Sequence, residues 1–282
     1  MPTVIDCAKI AFVAYGMPKD NTQRKMYRNT LFTLQLNWEN IKDPKLNLPI
    51  LKSPLYAELW LHHNKREAIL GFRGTEINML ENDIVDAKTW WRDALGEINI
   101  ETRPKYLHQA IFLADACKKY LKKHAPNAKL YYTGHSLGGA IAELMTTKER
   151  DISIGFNSPG IGHIKHVDTK FFPLIHNINA RYGYINKVGK VIGSIDYIDV
   201  PEGEASTKIA YQAYDDLKTR YNEDNHLSLT NIKLAYNNYY EETDKKIIVF
   251  NFTRSAYPQH SMNNLLAALM QASNQGIANK YY

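Results

Sequence analysis

The residues with the clearest chemical meaning lie in Tyr131-Tyr132-Thr133-Gly134-His135-Ser136-Leu137-Gly138-Gly139, which contains the pattern G-x-S-x-G. A serine hydroxyl is a poor nucleophile until it is exposed, oriented and given a base. A sharp strand-to-helix turn supplies the exposure and the orientation, and its flanking glycines let chain segments pass closely. The helix start behind Ser136 adds N–H groups and a positive dipole end for a developing oxyanion. The bare pattern is short enough to arise by chance, so its context gives it weight. Ala128 to Thr133 reads as a short apolar strand, and Ala140, Ile141 and Ala142 open a helix. The chemistry expected is acyl transfer through an ester on Ser136. His135 is adjacent to Ser136 on the turn, where it is badly placed to act as its base, and reads as a packing residue.

Such a turn needs a sheet and helices to hold it. Val4 to Tyr15 has helical spacing and stops at Gly16-Met17-Pro18. Asp20 to Lys52 is polar, punctuated by prolines, and reads as irregular with short elements. Tyr56 to His63 and Glu67 to Arg73 read as two strands around an Asn64-Lys65 turn, a hairpin feeding a larger sheet. Pro104 to His124 is amphipathic, with Leu107, Ala110, Ile111, Ala114, Cys117 and Leu121 on one face. Strands are expected at Ile152 to Phe156, Phe172 to Ala180 and Asp196 to Val200, with a loop at Asn157-Ser158-Pro159-Gly160 and a glycine-rich loop from Tyr182 to Gly193. Ala205 to Glu242 reads as helical and tyrosine-rich, and Lys246 to Phe252 as a last strand. A final helix runs from Ser261, a plausible N-cap, to Ala272. Alternating strands and helices argue for crossover connections and a parallel sheet. There is no internal repeat or linker, so residues 1–282 read as one domain with a less regular segment near 20–53.

The bulk properties bound the function classes. The chain has 282 residues and a formal net charge of +6, with a mean hydropathy of −0.42. That is a globular composition, neither disordered nor fibrous. A basic surface suits anionic lipid headgroups or nucleic acid, yet no zinc-finger or RNA-recognition motif accompanies it. Lys118, Lys119, Lys122 and Lys123 read as the solvated face of a helix. Two cysteines, Cys7 and Cys117, make no disulfide framework. Both sit in apolar helical contexts and read as buried thiols, which leans towards a reducing compartment. The first fifteen residues lack the basic start and apolar run of a signal peptide, and no segment approaches 18 uninterrupted apolar residues. A cytoplasmic location or export by a signal-independent route is expected, and any lipid contact is expected to be peripheral.

Several motifs taken together are more specific. Ala68-Ile69-Leu70-Gly71-Phe72-Arg73-Gly74-Thr75, then Trp91 and Asp93, then Gly134-His135-Ser136-Leu137-Gly138-Gly139, then Phe156-Asn157-Ser158-Pro159-Gly160 resemble the class 3 lipase family. The resemblance covers about Tyr56 to Gly193. It implies an α/β-hydrolase fold with a central, mostly parallel sheet flanked by helices, and no cofactor. It also implies carboxylic-ester hydrolysis on a glycerolipid, as in a lipase or phospholipase A. Thr75 would be the oxyanion-hole residue, with the Leu137 backbone N–H as second donor, so that two donors converge on one oxygen. Glu76 to Lys88 occupies the family's lid position, where Ile77, Met79, Leu80, Ile84 and Val85 would cover the site. An ordinary surface loop is the other reading. Trp90 and Trp91 read as core.

The base must be a histidine, and α/β hydrolases run serine, acid, histidine along the chain. That order leaves His163, His166, His176, His226 and His260. His163 and His166 follow the Asn157–Gly160 loop too closely, and His176 falls inside an expected strand. His260, in a loop before the last helix, resembles the family's base, with His226 as the alternative. The acid is the point of departure. The family's aspartate position falls in Ile185-Asn186-Lys187-Val188-Gly189, where Asn186 stands instead. An asparagine can accept from the histidine Nδ1–H but cannot stabilise an imidazolium by charge. Asp196 is the best substitute carboxylate, with Asp199 and Asp168 also in range. A metal centre is set aside because His163 and His166, spaced i, i+3, gather no further ligands.

The expected partners are a glycerolipid or phospholipid and a lipid interface, with no nucleic acid. The basic balance favours anionic phospholipid. Two other readings stand beside this one: a soluble carboxylesterase or acyltransferase, and a weak or inactive lipid-binding protein that keeps the fold without the acid.

Overall fold

The structure is a computed structural model that describes residues 1–42, 55–74, 105–162, 164, 167–183, 185–187, 190–202 and 259–274. The expected elements at 205–242 and 246–252, the lid segment 76–88, Trp90, Trp91 and Asp93 lie outside the described residues.

The described residues build a seven-stranded sheet in sequential order: β1 (Trp38–Asn40), β2 (Ala57–His62), β3 (Glu67–Phe72), β4 (Lys129–His135), β5 (Ile152–Phe156), β6 (Ile175–Ala180) and β7 (Ser194–Ile198). β1, β2 and β3 pair antiparallel, with Ala57 opposite Phe72 and Leu61 opposite Ala68. The hairpin turns at Lys65, whose φ of 56° is left-handed. From β3 to β7 every pairing is parallel, as the crossover pattern predicts. The fold is α/β, a mostly parallel sheet flanked by helices.

Both faces of the sheet are covered, which is why the central strands read as nearly continuous apolar runs. Period-2 alternation sends Ala68, Leu70, Phe72, Leu130 and Tyr132 to one face. They meet Ala110, Leu113, Ala114, Cys117 and Leu121 of α3 (Lys105–His124) and Leu137 to Met145 of α4 (Leu137–Glu149). Trp60, Ile69, Tyr131, Ile154, Phe156 and Ile178 go to the other face. There they pack on Cys7, Ile10 and Ala11 of α1 (Val4–Val13) and on Leu265, Leu266 and Leu269 of α5 (Met262–Asn274). Helices from the two ends of the sequence thus share one face of the sheet. Cys7 and Cys117 are buried free thiols. Burial pushes the Cys117 thiol up to about 12, and the Cys7 thiol is raised as well.

Two expectations change. Asn21–Gln35, inside the segment read as irregular, is a helix, α2. Asp20 caps it by accepting from the Gln23 N–H, and only Thr30 and Leu34 are fully buried, so its apolar stripe is too thin to read by periodicity. The strand expected from Phe172 begins at Ile175, because a 3-10 helix over Thr169–Leu174 precedes it. On α3, Lys119, Lys122 and Lys123 are exposed as expected, whereas Lys118 ion-pairs with Glu149 and Asp151. Among the described residues no helix is long and apolar enough to cross a membrane.

Leu70→Ala should cost about 2–5 kcal/mol, because it opens a cavity in a fully buried strand position. Phe112→Ala, at a position 62% exposed, should stay within about 0.5 kcal/mol. Urea unfolding of the two variants measures the contrast.

Candidate active site

β4 ends at His135 and α4 begins at Leu137, so Ser136 alone makes the turn. Its φ of 56° and ψ of −126° are costly for a residue with a side chain. The turn is held by its surroundings. The Ser136 N–H donates to the Phe156 carbonyl at 2.9 Å, and the Ser136 carbonyl accepts from the Gly139 and Ala140 N–H groups. A Cβ on Gly138 would overlap the Phe72 carbonyl, and one on Gly134 would overlap the Gly138 backbone. The glycines of the motif are therefore there for close approach. They let the end of β3 and the first turn of α4 press onto the turn itself.

Immediately ahead of α5, His260 reaches Ser136. Its Nε2 lies 3.0 Å from Ser136 Oγ. Ser136 and His260 are 6% and 7% exposed. As a base, Nε2 accepts the serine O–H, which leaves the ring proton on Nδ1. Burial, and then the neighbouring His135, hold the His260 imidazole well below its usual range, so it is neutral at neutral pH. The Ser261 carbonyl accepts from the Leu265 N–H at 3.0 Å as α5 begins.

The main chain at 259–260 is tied down by side chains from elsewhere in the fold. Gln259 donates to the Val200 and Glu202 carbonyls. Asn157, with a left-handed φ of 46° at the end of β5, donates through Nδ2 to the Gln259 carbonyl at 3.0 Å and more weakly to the His260 carbonyl at 3.5 Å. Its Oδ1 accepts from the Ala180 N–H at 2.7 Å and from Asn186 Nδ2 at 3.3 Å. Asn157 was legible only as a loop residue, and Gln259 only as a neighbour of His260. Their partners lie 23 to 103 residues away, so no local pattern marks them.

Asn186 is buried in a short 3-10 turn, Ile185–Lys187. Its Nδ2 donates to the Ala180 carbonyl at 2.9 Å as well as to Asn157, and its Oδ1 makes no hydrogen bond. It thus joins the network that holds His260. The substitute carboxylates face other groups. Asp196 is opposite Ile178 in the β6–β7 register and acts electrostatically on His176. Asp199 pairs with Arg181. Asp168 caps the 3-10 helix through the Lys170 N–H. His176 bonds Ser194 Oγ on the sheet.

Leu137 opens α4, where its N–H has no partner within the helix, as an oxyanion donor requires. Thr75 lies outside the described residues, as do His163, His166 and His226. Gly74, just before Thr75, abuts the turn: a Cβ there would stand 3.2 Å from Ser136 Cβ. His135 does more than pack. It bonds Tyr15 Oη and the His260 carbonyl, each at 2.7 Å, and burial lowers its imidazole to about 4.

Glu143 of α4 is fully buried, and burial raises its carboxyl well above the usual value, with the Ser158 hydroxyl opposing that shift. Among the described residues no group of three or more His, Cys, Asp or Glu side chains is placed to hold a metal. A groove lined by Lys118, Lys122, Lys129 and Arg150 lies where β4 and β5 begin, at the opposite end of these strands from Ser136.

Asn186→Asp would place a carboxylate at the position where the sequence resemblance leads one to expect the acid. It would also turn two donated hydrogen bonds, to Asn157 Oδ1 and to the Ala180 carbonyl, into oxygen–oxygen contacts. We expect it to lower stability by at least about 1–3 kcal/mol, read as a fall in the urea midpoint.

Residues 69–151 match the model of the family described as Lipase (class 3), a span that holds most of β3 and all of β4, the Ser136 turn and α4. Among solved structures, the chain is similar to a lipase from Yarrowia lipolytica (18% identity, 69% of this chain and 79% of that one, TM-score 0.48). It is also similar to a lipase from Rhizopus microsporus var. chinensis (18% identity, 68% and 72%, TM-score 0.47). Both likenesses are distant, and the fold assignment rests on the sheet order and the strand–turn–helix at Ser136. No curated protein matches the chain. Residues 69–151 are thus similar to the class 3 lipase family, and they lie in an α/β fold built on a mostly parallel sheet.

Proposed function

We propose that the chain is a serine hydrolase that cleaves carboxylic esters of glycerolipids, as a lipase or phospholipase A, and that residues 1–282 act as one domain. The observation that carries this is the 3.0 Å approach of His260 Nε2 to Ser136 Oγ at a strained turn. The shared packing of α1 and α5 on one sheet face supports the single domain.

In the proposed cycle, Ser136 Oγ attacks the ester carbonyl carbon as His260 Nε2 takes its proton. The Leu137 N–H and Thr75 receive the oxyanion. Collapse breaks the ester C–O bond, and the leaving alcohol takes the proton from His260. Water then attacks the acyl-Ser136 ester by the same steps and releases the carboxylic acid. Asn186 is the proposed third member, acting through its hydrogen bond to Asn157, which holds the main chain beside His260, and contributing no negative charge. A positive balance on the chain favours anionic phospholipid and peripheral lipid contact. The second reading is a weak or inactive lipid-binding protein, which Asn186 at the acid position favours.

The test uses wild type, Ser136→Ala, His260→Ala and Asn186→Ala with a fluorophosphonate probe, a soluble short-chain ester and phospholipid vesicles. Ser136→Ala should abolish labelling, His260→Ala should lower kcat by at least ~10⁴, and Asn186→Ala should lower it by about tenfold or more. Folded wild type that neither labels nor hydrolyses would select the binding-protein reading.

The pH profile is a separate check. His260 must be neutral to act as base, and its pKa is lowered from 6.5. The acidic limb of kcat/KM should therefore lie below pH 6.5; a limb at or above that value would contradict the assignment of His260 in its buried setting.

A further inference from the structure

The base is held through its main chain by a residue that the catalytic cycle does not use. The His260 carbonyl can only accept, so the 2.7 Å contact from His135 Nε2 is an N–H···O bond. A neutral His135 ring then carries no proton on Nδ1. Tyr15 Oη, 2.7 Å from that nitrogen, is the donor to it. Tyr15 follows α1, its own N–H bonded to the Phe12 carbonyl, and its hydroxyl occupies the space a Cβ on Gly74 would take. The His135 and His260 rings lie 4.7 Å apart, and His135 is only 2% exposed.

A continuous relay therefore runs from Tyr15 O–H to His135 Nδ1, from His135 Nε2–H to the His260 carbonyl, and from the Ser136 hydroxyl to His260 Nε2. His135 is covalently joined to Ser136. One turn of chain thus sets both the nucleophile and, through the His135 ring, the main chain of its base. The other described bond to the His260 carbonyl, from Asn157 Nδ2, is long at 3.5 Å.

We propose that Tyr15 and His135 are positioning residues for the reaction at Ser136: the Tyr15 hydroxyl fixes His135 as the Nε2–H tautomer, and that N–H holds the His260 backbone so that its imidazole stays on the serine. This rests on the ester-hydrolase reading above. A ring that merely filled space would be replaceable by any apolar side chain of similar bulk. A donor at this nitrogen is not.

The experiment combines ring ¹⁵N NMR of the full chain with steady-state kinetics on a soluble ester for wild type, Tyr15→Phe, His135→Leu and His135→Gln. Wild type should show His135 protonated at Nε2 and bare at Nδ1, and Tyr15→Phe should populate the other tautomer. His135→Leu should lose up to ~100-fold in kcat at unchanged KM, the scale of a 1 Å misplacement of a catalytic group. His135→Gln, whose amide can donate from the position of Nε2, should recover most of that loss. Tyr15→Phe should fall between wild type and His135→Leu. The proposal is overturned by a His135→Leu enzyme with wild-type kcat, by a glutamine variant as impaired as the leucine one, or by an Nδ1–H tautomer in wild type. If His135→Leu does not fold, the tautomer and kcat of Tyr15→Phe decide. A wild type that shows the Nε2–H tautomer but neither labels nor hydrolyses overturns the ester-hydrolase reading and this role with it. Active wild type with unaffected variants overturns this role alone.

Discussion

The turn at Ser136 is the constraint on which the rest of the structure depends. A side-chain-bearing residue at φ 56° costs on the order of 1–3 kcal/mol, and it persists only where neighbours leave no alternative. Those neighbours are the Phe156 carbonyl of β5, the Phe72 carbonyl of β3 and the first turn of α4. The parallel order β3–β4–β5 sets all three around one point. The strain thus connects sheet topology to chemistry: it thrusts Oγ out of the strand line and aims the start of α4 at the place where negative charge would develop.

His260, the proposed base, is held differently, by buried polar side chains. Asn157, Gln259, Asn186 and His135 are all within the interior, and each bonds a main-chain carbonyl. In a low dielectric such bonds are strong, and leaving any one unmade is costly. Carbonyls of the 259–260 segment accept from β5 and from the Ser136 turn, while Gln259 reaches carbonyls just past β7. The histidine is thereby fixed by the same sheet that fixes the serine, although 124 residues separate them.

Asn186 gives the site its particular character. As a neutral amide it fits a pocket of acceptors that a carboxylate would oppose, the Ala180 carbonyl and Asn157 Oδ1. As the proposed third member, Asn186 would steady the segment that carries His260 without the charge that stabilises an imidazolium. A buried, neutral His260 belongs with that arrangement.

The sequence by itself determined a good deal here. G-x-S-x-G after an apolar strand marked the strand–turn–helix at Ser136, alternation of strand and amphipathic helix yielded the parallel sheet, and chain order with the loop before α5 singled out His260, whose ring the fold brings to Ser136. These are local signals, written in periodicity and turn chemistry over a few residues. Other features were decided only in the folded molecule. α2 was hidden because two fully buried residues make no readable stripe. The choice among Asp196, Asp199 and Asp168 was open because a carboxylate's sequence number says nothing about its partner; those partners are His176, Arg181 and the Lys170 N–H. Most of all, His135 read as packing because its two bonds reach Tyr15 and His260, 120 and 125 residues away. Hydrogen bonds across such distances leave no period in a sequence, since they exist only once the sheet has brought the ends of the chain to one face.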